Sequence, residues 1–339
     1  MTMTTVVTGA SGHIGANLVR ALLARGRKVR ALHHVNRRAI ENLGVEIVPG
    51  DVCDPSSLQK AFKGADVVYH LAARISLSMN DFPLIEPINV TGVRNVVEAC
   101  LDCGVRRLVH FSSIHAFKQE SSDASIDESC PLVEPPRCPP YDRSKAAGEK
   151  EVRSGIERGL DAVIISPTAV IGPHDYEPSF LGEALLKLAH GKMPALVAGG
   201  FDWVDVRDVV EGAIRAEGQA PTGAKYLLSG HWASVGDLAV LVEEIIGTPA
   251  PNLALPRWLA YVGAPFMAGF AQLTGKRPLY TTASIKALCS SQNVSHQKAA
   301  SELGYRPRPL RETIVDTMQW FRESGYLDRP VKEQPDKRR

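Results

Sequence analysis

Residues 139–145 read PPYDRSK, which sets Tyr141 and Lys145 four positions apart behind two prolines. Proline is favoured at a helix start, so the spacing predicts a helix with both side chains on one face. A tyrosine titrating at about 10 is a poor acid or base at neutral pH. A lysine charge close by favours the phenolate and lowers that value, so the pair could transfer a proton. The same spacing is common in ordinary surface helices, and these seven residues leave both readings open. A second candidate lies near the N-terminus, where Thr4–Thr8 runs into GASGHIG and then ANLVRALLARG. Glycines 9, 12 and 15 would permit a tight turn, a close backbone approach to pyrophosphate and tight helix–strand packing, with the helix N-terminus facing the negative charge. The spacing is GxxGxxG rather than GxGxxG. Gly9, Ser11, Gly12, His13, Ile14 and Gly15 are therefore candidate dinucleotide contacts.

The elements around these residues must form a crevice at the carboxyl ends of strands. Strands are expected at Thr4–Thr8, Lys28–Leu32, Val45–Val48, Val67–Leu71, Arg107–Ser112 and Ala162–Ser166, and helices near 13–25, 36–43, 55–62, 84–103 and 141–158. Runs such as DVVYHLAA and DAVIIS are apolar on both faces, as a parallel sheet between two helix layers demands. The alternation predicts an α/β fold with a doubly wound parallel sheet, of the Rossmann kind. After about residue 175 prolines and glycines become frequent. The expected organisation is a nucleotide-binding part over residues 1–175, a smaller substrate-binding part over 176–330 interleaved with it, and a tail from 331 to 339.

On this fold Asp51 and Val52 follow the third strand, where Asp51 would meet the adenine. Leu71, Ala72 and Ala73 close the fourth strand, and the two alanines are small enough to let a cofactor lie across the backbone. Strand two ends in ALHHVNRR. A cofactor lacking a 2′-phosphate is usually held there by an acidic residue, and here His33, His34 and Asn36 stand instead. Arg37 and Arg38 follow, and arginine matches a phosphate with its two-pronged fork. NADP is thus preferred as cofactor over NAD, through His34 and Arg37, unless the arginines simply open a solvated helix.

The formal net charge of +2 gives no reason to expect a nucleic-acid partner. Cys100 and Cys103 form a lone CxxC within a helical run, with no second ligand pair spaced for zinc, so no metal is expected. The start MTMTTVVTGAS has no basic region before an apolar core. No signal peptide is expected, and the expected location is cytoplasmic. Residues 253–273, LALPRWLAYVGAPFMAGFAQL, have the length of a membrane span but are interrupted by Pro256, Arg257 and Pro265. They read as a packed apolar helix or pocket lid, with a membrane-surface contact as the alternative. His115 and His174 fall in loops expected to face the crevice, and Trp203 and Trp258 are the tryptophans expected in a pocket.

The ordered set TGASGHIG, DVCD, HLAA, the asparagine of NVTGVRNVVEA, FSS, YDRSK and PTAVIGP resembles that of the extended short-chain dehydrogenases/reductases, and the likeness covers essentially the whole chain. The resemblance implies that Tyr141 is the general acid/base. Lys145 would bind the nicotinamide ribose and depress the tyrosine pKa. Ser113, with Ser112 as the register alternative, would hydrogen-bond the substrate oxygen, and Asn89 would fix the active-site backbone. Pro167, Thr168 and Val170 would line the nicotinamide side, and a homodimer is compatible with the family. Family members acting on nucleotide sugars typically read RDFxHVxD, whereas residues 201–208 read FDWVDVRD, with Phe201 at the arginine position. Phenylalanine cannot neutralise a diphosphate, although the displaced Arg207 could. SSIHAF also looks more like the dihydroflavonol reductase and 3β-hydroxysteroid dehydrogenase branch. The leading expectation is a carbonyl reductase or alcohol dehydrogenase for a bulky, apolar small molecule. A sugar epimerase or dehydratase with retained NAD is the second, and a non-catalytic NAD(P) binder the third.

Overall fold

The strands of the chain are short and rich in Val, Ile and Leu, and those at the centre bury every residue, so helices must cover both faces. The computed structural model describes residues 3–76, 81–119, 125–135, 138–263, 281–288 and 292–331. Its strands are β1 (Thr4–Thr8), β2 (Lys28–His33), β3 (Glu46–Pro49), β4 (Val67–His70), β5 (Arg107–Phe111), β6 (Ala162–Pro167), β7 (Ala169–Ile171), β8 (Leu196–Val197), β9 (Gly200–Asp205), β10 (Lys225–Leu228), β11 (His231–Ser234) and β12 (Ala254–Leu255). The helices to β11 and just beyond are α1 (His13–Ala24), α2 (Pro55–Phe62), α3 (Phe82–Glu86), α4 (Gly92–Asp102), α5 (Pro140–Glu157), α6 (Phe180–Ala189), α7 (Val206–Gln219) and α8 (Val235–Ile246).

The central sheet has the order β10-β6-β5-β4-β1-β2-β3 and every pairing in it is parallel. The order reverses at β1/β4, which opens a crevice above the carboxyl ends of those strands. One face packs on α1 and α7 through Val7, Tyr69, Val109 and Val163. The opposite face packs on α2, α4 and α5 through Val6, Val68, Leu108 and Ile164. β10, late in the chain, completes the sheet beside β6. A three-stranded sheet, β11-β9-β7, continues directly from β6, and a third core gathers α6, α8 and the helix Leu310–Glu323.

Strands β1 to β6 fall within a residue or so of expectation, but residues 36–43 do not form a helix. Asn36 Oδ1 accepts a hydrogen bond from Arg38 N at 2.8 Å, and the chain continues in turns, with Ile40 N bonded to Arg37 O and Leu43 N to Ile40 O. Such a local side-chain bond competes with helix formation, and in this stretch only Ala39 and Ile40 reach the core. The expected helix 84–103 is also divided: a π-helical turn, Pro87–Thr91, separates α3 from α4. Of the apolar stretch 253–273, residues 264–273 lie outside the described residues. Before them, residues 257–263 are helical and bury Ala260 against Val197, Ile285 and Leu288, while Trp258 is 67% and Val262 59% exposed. Among the described residues, no helix is long and apolar enough to cross a membrane.

Candidate active site

The turn after β1 is shaped by two backbone constraints. Gly9 adopts φ +67°, and a Cβ on it would lie 2.7 Å from Ala72 N. At Gly15 a Cβ would lie 2.1 Å from Gly9 O, so only glycine lets α1 start this close to the strand end. Gly12 caps α1 without a side-chain hydrogen bond, and the first turn holds no acidic residue. The helix start therefore presents its N–H groups and positive dipole end to the crevice. The His13 ring Nε2 lies 3.2 and 3.1 Å from the carbonyls of Gly172 and Pro173. Asn17 Nδ2 donates to Pro173 O at 2.9 Å, so both side chains tie α1 to the loop after β7. Thr8 Oγ1 accepts from Leu71 N and Ala72 N at 3.2 Å each and lies 2.7 Å from His70 Nδ1, joining the ends of β1 and β4.

At the other side of the crevice α5 starts at Pro140, and Asp142 in its first turn complements the helix dipole. Its buried stripe is unusual in being polar: Ser144, Lys145 and Glu149 face the protein interior with Gly148 and Val152. Tyr141 and Lys145 do share a face, and both line the same cavity as Ser113. Ser113 follows β5 and caps the short turn Ile114–Ala116, accepting from His115 N at 3.2 Å. The Ser112 hydroxyl donates to Glu149 Oε2 at 3.1 Å, and both serines line the cavity. Asn89, on the π-helical turn, accepts from Arg74 N at 2.8 Å and donates to Arg74 O at 2.9 Å. It also donates to Ser144 Oγ at 2.9 Å, fastening the loop after β4 to α5.

The expected depression of the tyrosine by lysine is absent in this geometry. Burial pushes Tyr141 up to about 12, with Ser113 lowering it and Asp142 raising it. Burial likewise lowers Lys145 to about 8, with Glu149 opposing. The Lys145 ammonium donates to Phe111 O at 2.6 Å, so its hydrogen bond goes to the backbone of β5.

One cavity of about 970 Å³ runs from the glycine turn past Ser113, Tyr141 and Lys145, near the top of the roughly 300–1,000 Å³ range of ligand sites. At one end it is lined by Gly9, Gly12, His13, Ile14 and Gly15, with Leu71, Ala73, Pro167, Thr168 and Val170 alongside. Ile75, Phe117, Leu132, Phe180, Leu181 and Phe201 add apolar side chains to its wall, which also carries Lys118, Glu134, Glu177 and Lys286. Ser11, Ala72, Asp51, Val52, His34 and Arg37 lie outside this cavity. Asp51 Oδ2 is 3.4 Å from His34 Nε2, Val52 packs into the core beside Leu32 and Val93, and Ala72 abuts Gly9. Arg38 is committed to Tyr326, 3.0 Å from its hydroxyl, whereas the exposed Arg37 side chain makes no hydrogen bond or ion pair among the described residues.

Several expected pocket residues are placed elsewhere. Trp203 is buried in the third core and donates to Ala233 O at 3.0 Å, and Trp258 points to solvent. His174 is packed between Tyr176 and Trp320, where burial lowers it to about 4. His115 does line the cavity, 3.1 Å from Asp142 and edge-on to Tyr141. Arg207 is held by Asp205 and Asp316 at 2.7 Å each and is absent from the cavity wall, where Phe201 stands. Glu149 escaped the sequence reading, although its position one turn beyond Lys145 placed it on the same helix face.

A glycine turn under an open helix N-terminus at the switch point of a parallel sheet defines a Rossmann-type nucleotide-binding protein. The chain belongs to the NAD dependent epimerase/dehydratase family, whose model matches residues 5–228. It is 38% identical over 332 residues to "Sterol demethylase protein B" of Methylococcus capsulatus, covering 96% of this chain and all of that one. Identity is 32% to a "Putative dihydroflavonol 4-reductase" of Synechocystis, covering 95% of each chain. The crystal structure of gox2253 superposes with a TM-score of 0.83 at 35% identity, covering 96% of this chain and 99% of that one. The tight turn that Gly9 and Gly15 allow, lining the cavity beside the uncapped start of α1, fits the pyrophosphate of a nicotinamide dinucleotide.

Proposed function

We propose that this protein is an oxidoreductase that transfers a hydride between NADP(H) and a carbonyl or alcohol group on a bulky, apolar, sterol-like substrate. The observation that carries the reading is the junction at Ser113 and Tyr141. Both residues line the cavity that also takes in the glycine turn and a set of apolar side chains. The dinucleotide supplies the hydride. Tyr141 donates the proton to the substrate oxygen in reduction and takes it in oxidation. Ser113 donates a hydrogen bond to that oxygen as charge develops there. Lys145 holds the ribose hydroxyls, and its charge so placed favours the phenolate of Tyr141. Asn89 is a positioning residue that fixes the loop after β4 and the start of α5. Arg37 holds the 2′-phosphate.

The apolar cavity wall supports an apolar substrate, as do the relatives named for sterol and flavonol chemistry. The Phe201 wall and the double commitment of Arg207 speak against a nucleotide diphosphate, because no free guanidinium reaches the cavity from β9 or α7. The test is NADPH consumption with a panel of alicyclic and steroidal ketones, beside nucleotide sugars. Steroidal ketones should be turned over, and Tyr141→Phe should cut kcat ~10²–10⁴-fold with unchanged NADPH affinity. Turnover of nucleotide sugars alone, or near wild-type activity in Tyr141→Phe, refutes the proposal.

A further inference from the structure

The side of α5 that faces the sheet carries a buried charge relay which the proposed hydride chemistry does not require. Lys145 is surrounded by groups that lend it no charge. Beneath it, His70 of β4 and His110 of β5 are fully buried, with ring centroids 5.3 Å apart, and burial keeps both imidazoles neutral. Beside it on β5, Ser112 and the Phe111 carbonyl are uncharged, as are Asn89 and Ser144 toward the π-helical turn and Tyr141 one turn back on α5. The anion facing this group is Glu149, one turn further along α5 and completely buried. Glu149 is in turn gripped on both oxygens. Lys225 Nζ of β10 reaches it at 2.9 Å, Arg153 of α5 at 2.8 Å, and the Ser112 hydroxyl at 3.1 Å. Lys225 also sits 3.5 Å over the ring of Phe117, a residue of the cavity wall.

We infer that Glu149 is the positioning residue that keeps Lys145 protonated at neutral pH, and that Lys225 and Arg153 set how much of its charge Lys145 feels. An isolated ammonium in this sheet–helix interior would give up its proton rather than remain charged. Cations on the far side of Glu149 divide its field between themselves and Lys145. Weakening them strengthens the hold on the Lys145 proton, and neutralising Glu149 weakens it. The two perturbations therefore move Lys145 in opposite directions, which a merely structural role for Glu149 would not do.

The inference rests on the reading of Lys145 as a ligand of the nicotinamide ribose, and the test is built on cofactor binding alone. NADPH affinity is measured by fluorescence titration from pH 6.5 to 9.5 for the wild type, Glu149→Gln and Arg153→Met, with thermal melts to confirm folding. Wild-type affinity should fall as pH rises through the Lys145 titration. In Glu149→Gln that midpoint should move down by roughly half a pH unit or more, and in Arg153→Met it should move up. Folded variants whose midpoints stay at the wild-type value, or move together in one direction, overturn the inference. Arg153 is half exposed, and an Arg153→Met midpoint that does not rise overturns the inference. Where Glu149→Gln does not fold, Glu149→Asp, whose carboxylate stands one methylene back, should move the midpoint down in its place, and an unmoved midpoint overturns the inference. Failure of the wild type to bind NADPH or NADH would instead defeat the proposed function.

Discussion

Replacing Lys145 by methionine should make the protein inactive without making it less stable. Burial takes the ammonium from 10.5 down to about 8, so keeping it charged costs the folded state about 3 kcal/mol. Methionine removes that cost but leaves the Phe111 carbonyl without its 2.6 Å donor, a loss of ~1–3 kcal/mol. At pH 7 the variant should match the wild type or exceed it by up to about 2 kcal/mol. The pH dependence is the sharper signature. The folded value lies below the unfolded one, so between about pH 8 and 10.5 the unfolded chain holds the extra proton and wild-type stability rises with pH. Urea unfolding of both proteins at pH 7 and pH 10 should show the wild type gaining about 2.5 kcal/mol relative to Lys145→Met. At the same time NADPH affinity should collapse in the variant. A stability difference that stays constant across this range would show that Lys145 does not titrate as its burial requires.

Gly15→Ala puts a methyl group 2.1 Å from Gly9 O. It should cost ~1–3 kcal/mol by overpacking and weaken NADPH binding, and a variant that melts and binds like the wild type would contradict the tight-turn geometry. Arg37→Ala should narrow the preference for NADPH over NADH in paired fluorescence titrations, and equal wild-type affinities would remove the basis for assigning NADP. Asn89→Ala strips three hydrogen bonds from the junction of the loop after β4 with α5. It should lower kcat more than it raises KM, since the proton-transfer geometry is loosened rather than the cavity; an effect confined to KM would argue against a positioning role.

Local chemistry made much of this protein readable from its residues. The strands that bury both faces had to lie in a parallel sheet, and β1 and α2 occur over the residues expected. The glycine turn was legible because a positive φ at Gly9 and a Cβ-free contact at Gly15 can be met by one residue type only. Tyr141 and Lys145 were bound to share a face once a helix formed, since 3.6 residues per turn leaves no other outcome. Residues 36–43 were misread because one Asx bond from Asn36 outweighs a weak helical pattern over so short a stretch.

What the linear spacing could not contain is the partner each side chain meets across the fold. Ser112 and Ser113 are neighbours of the same type, yet the Ser112 hydroxyl meets Glu149 whereas that of Ser113 caps the turn Ile114–Ala116. Tertiary burial also raises the tyrosine and lowers the lysine. The Lys145 ammonium donates its hydrogen bond to the Phe111 carbonyl, a partner that the spacing of the pair does not reveal. That Arg207 is held by Asp205 and Asp316 was likewise not readable from its spacing to Phe201. Residue types and spacing determined the glycine turn and the helix face shared by Tyr141 and Lys145, whose geometry is set by covalent structure over a few residues. Only the tertiary structure decided protonation and pocket lining, because charge and solvent exclusion depend on side chains brought together from distant parts of the chain.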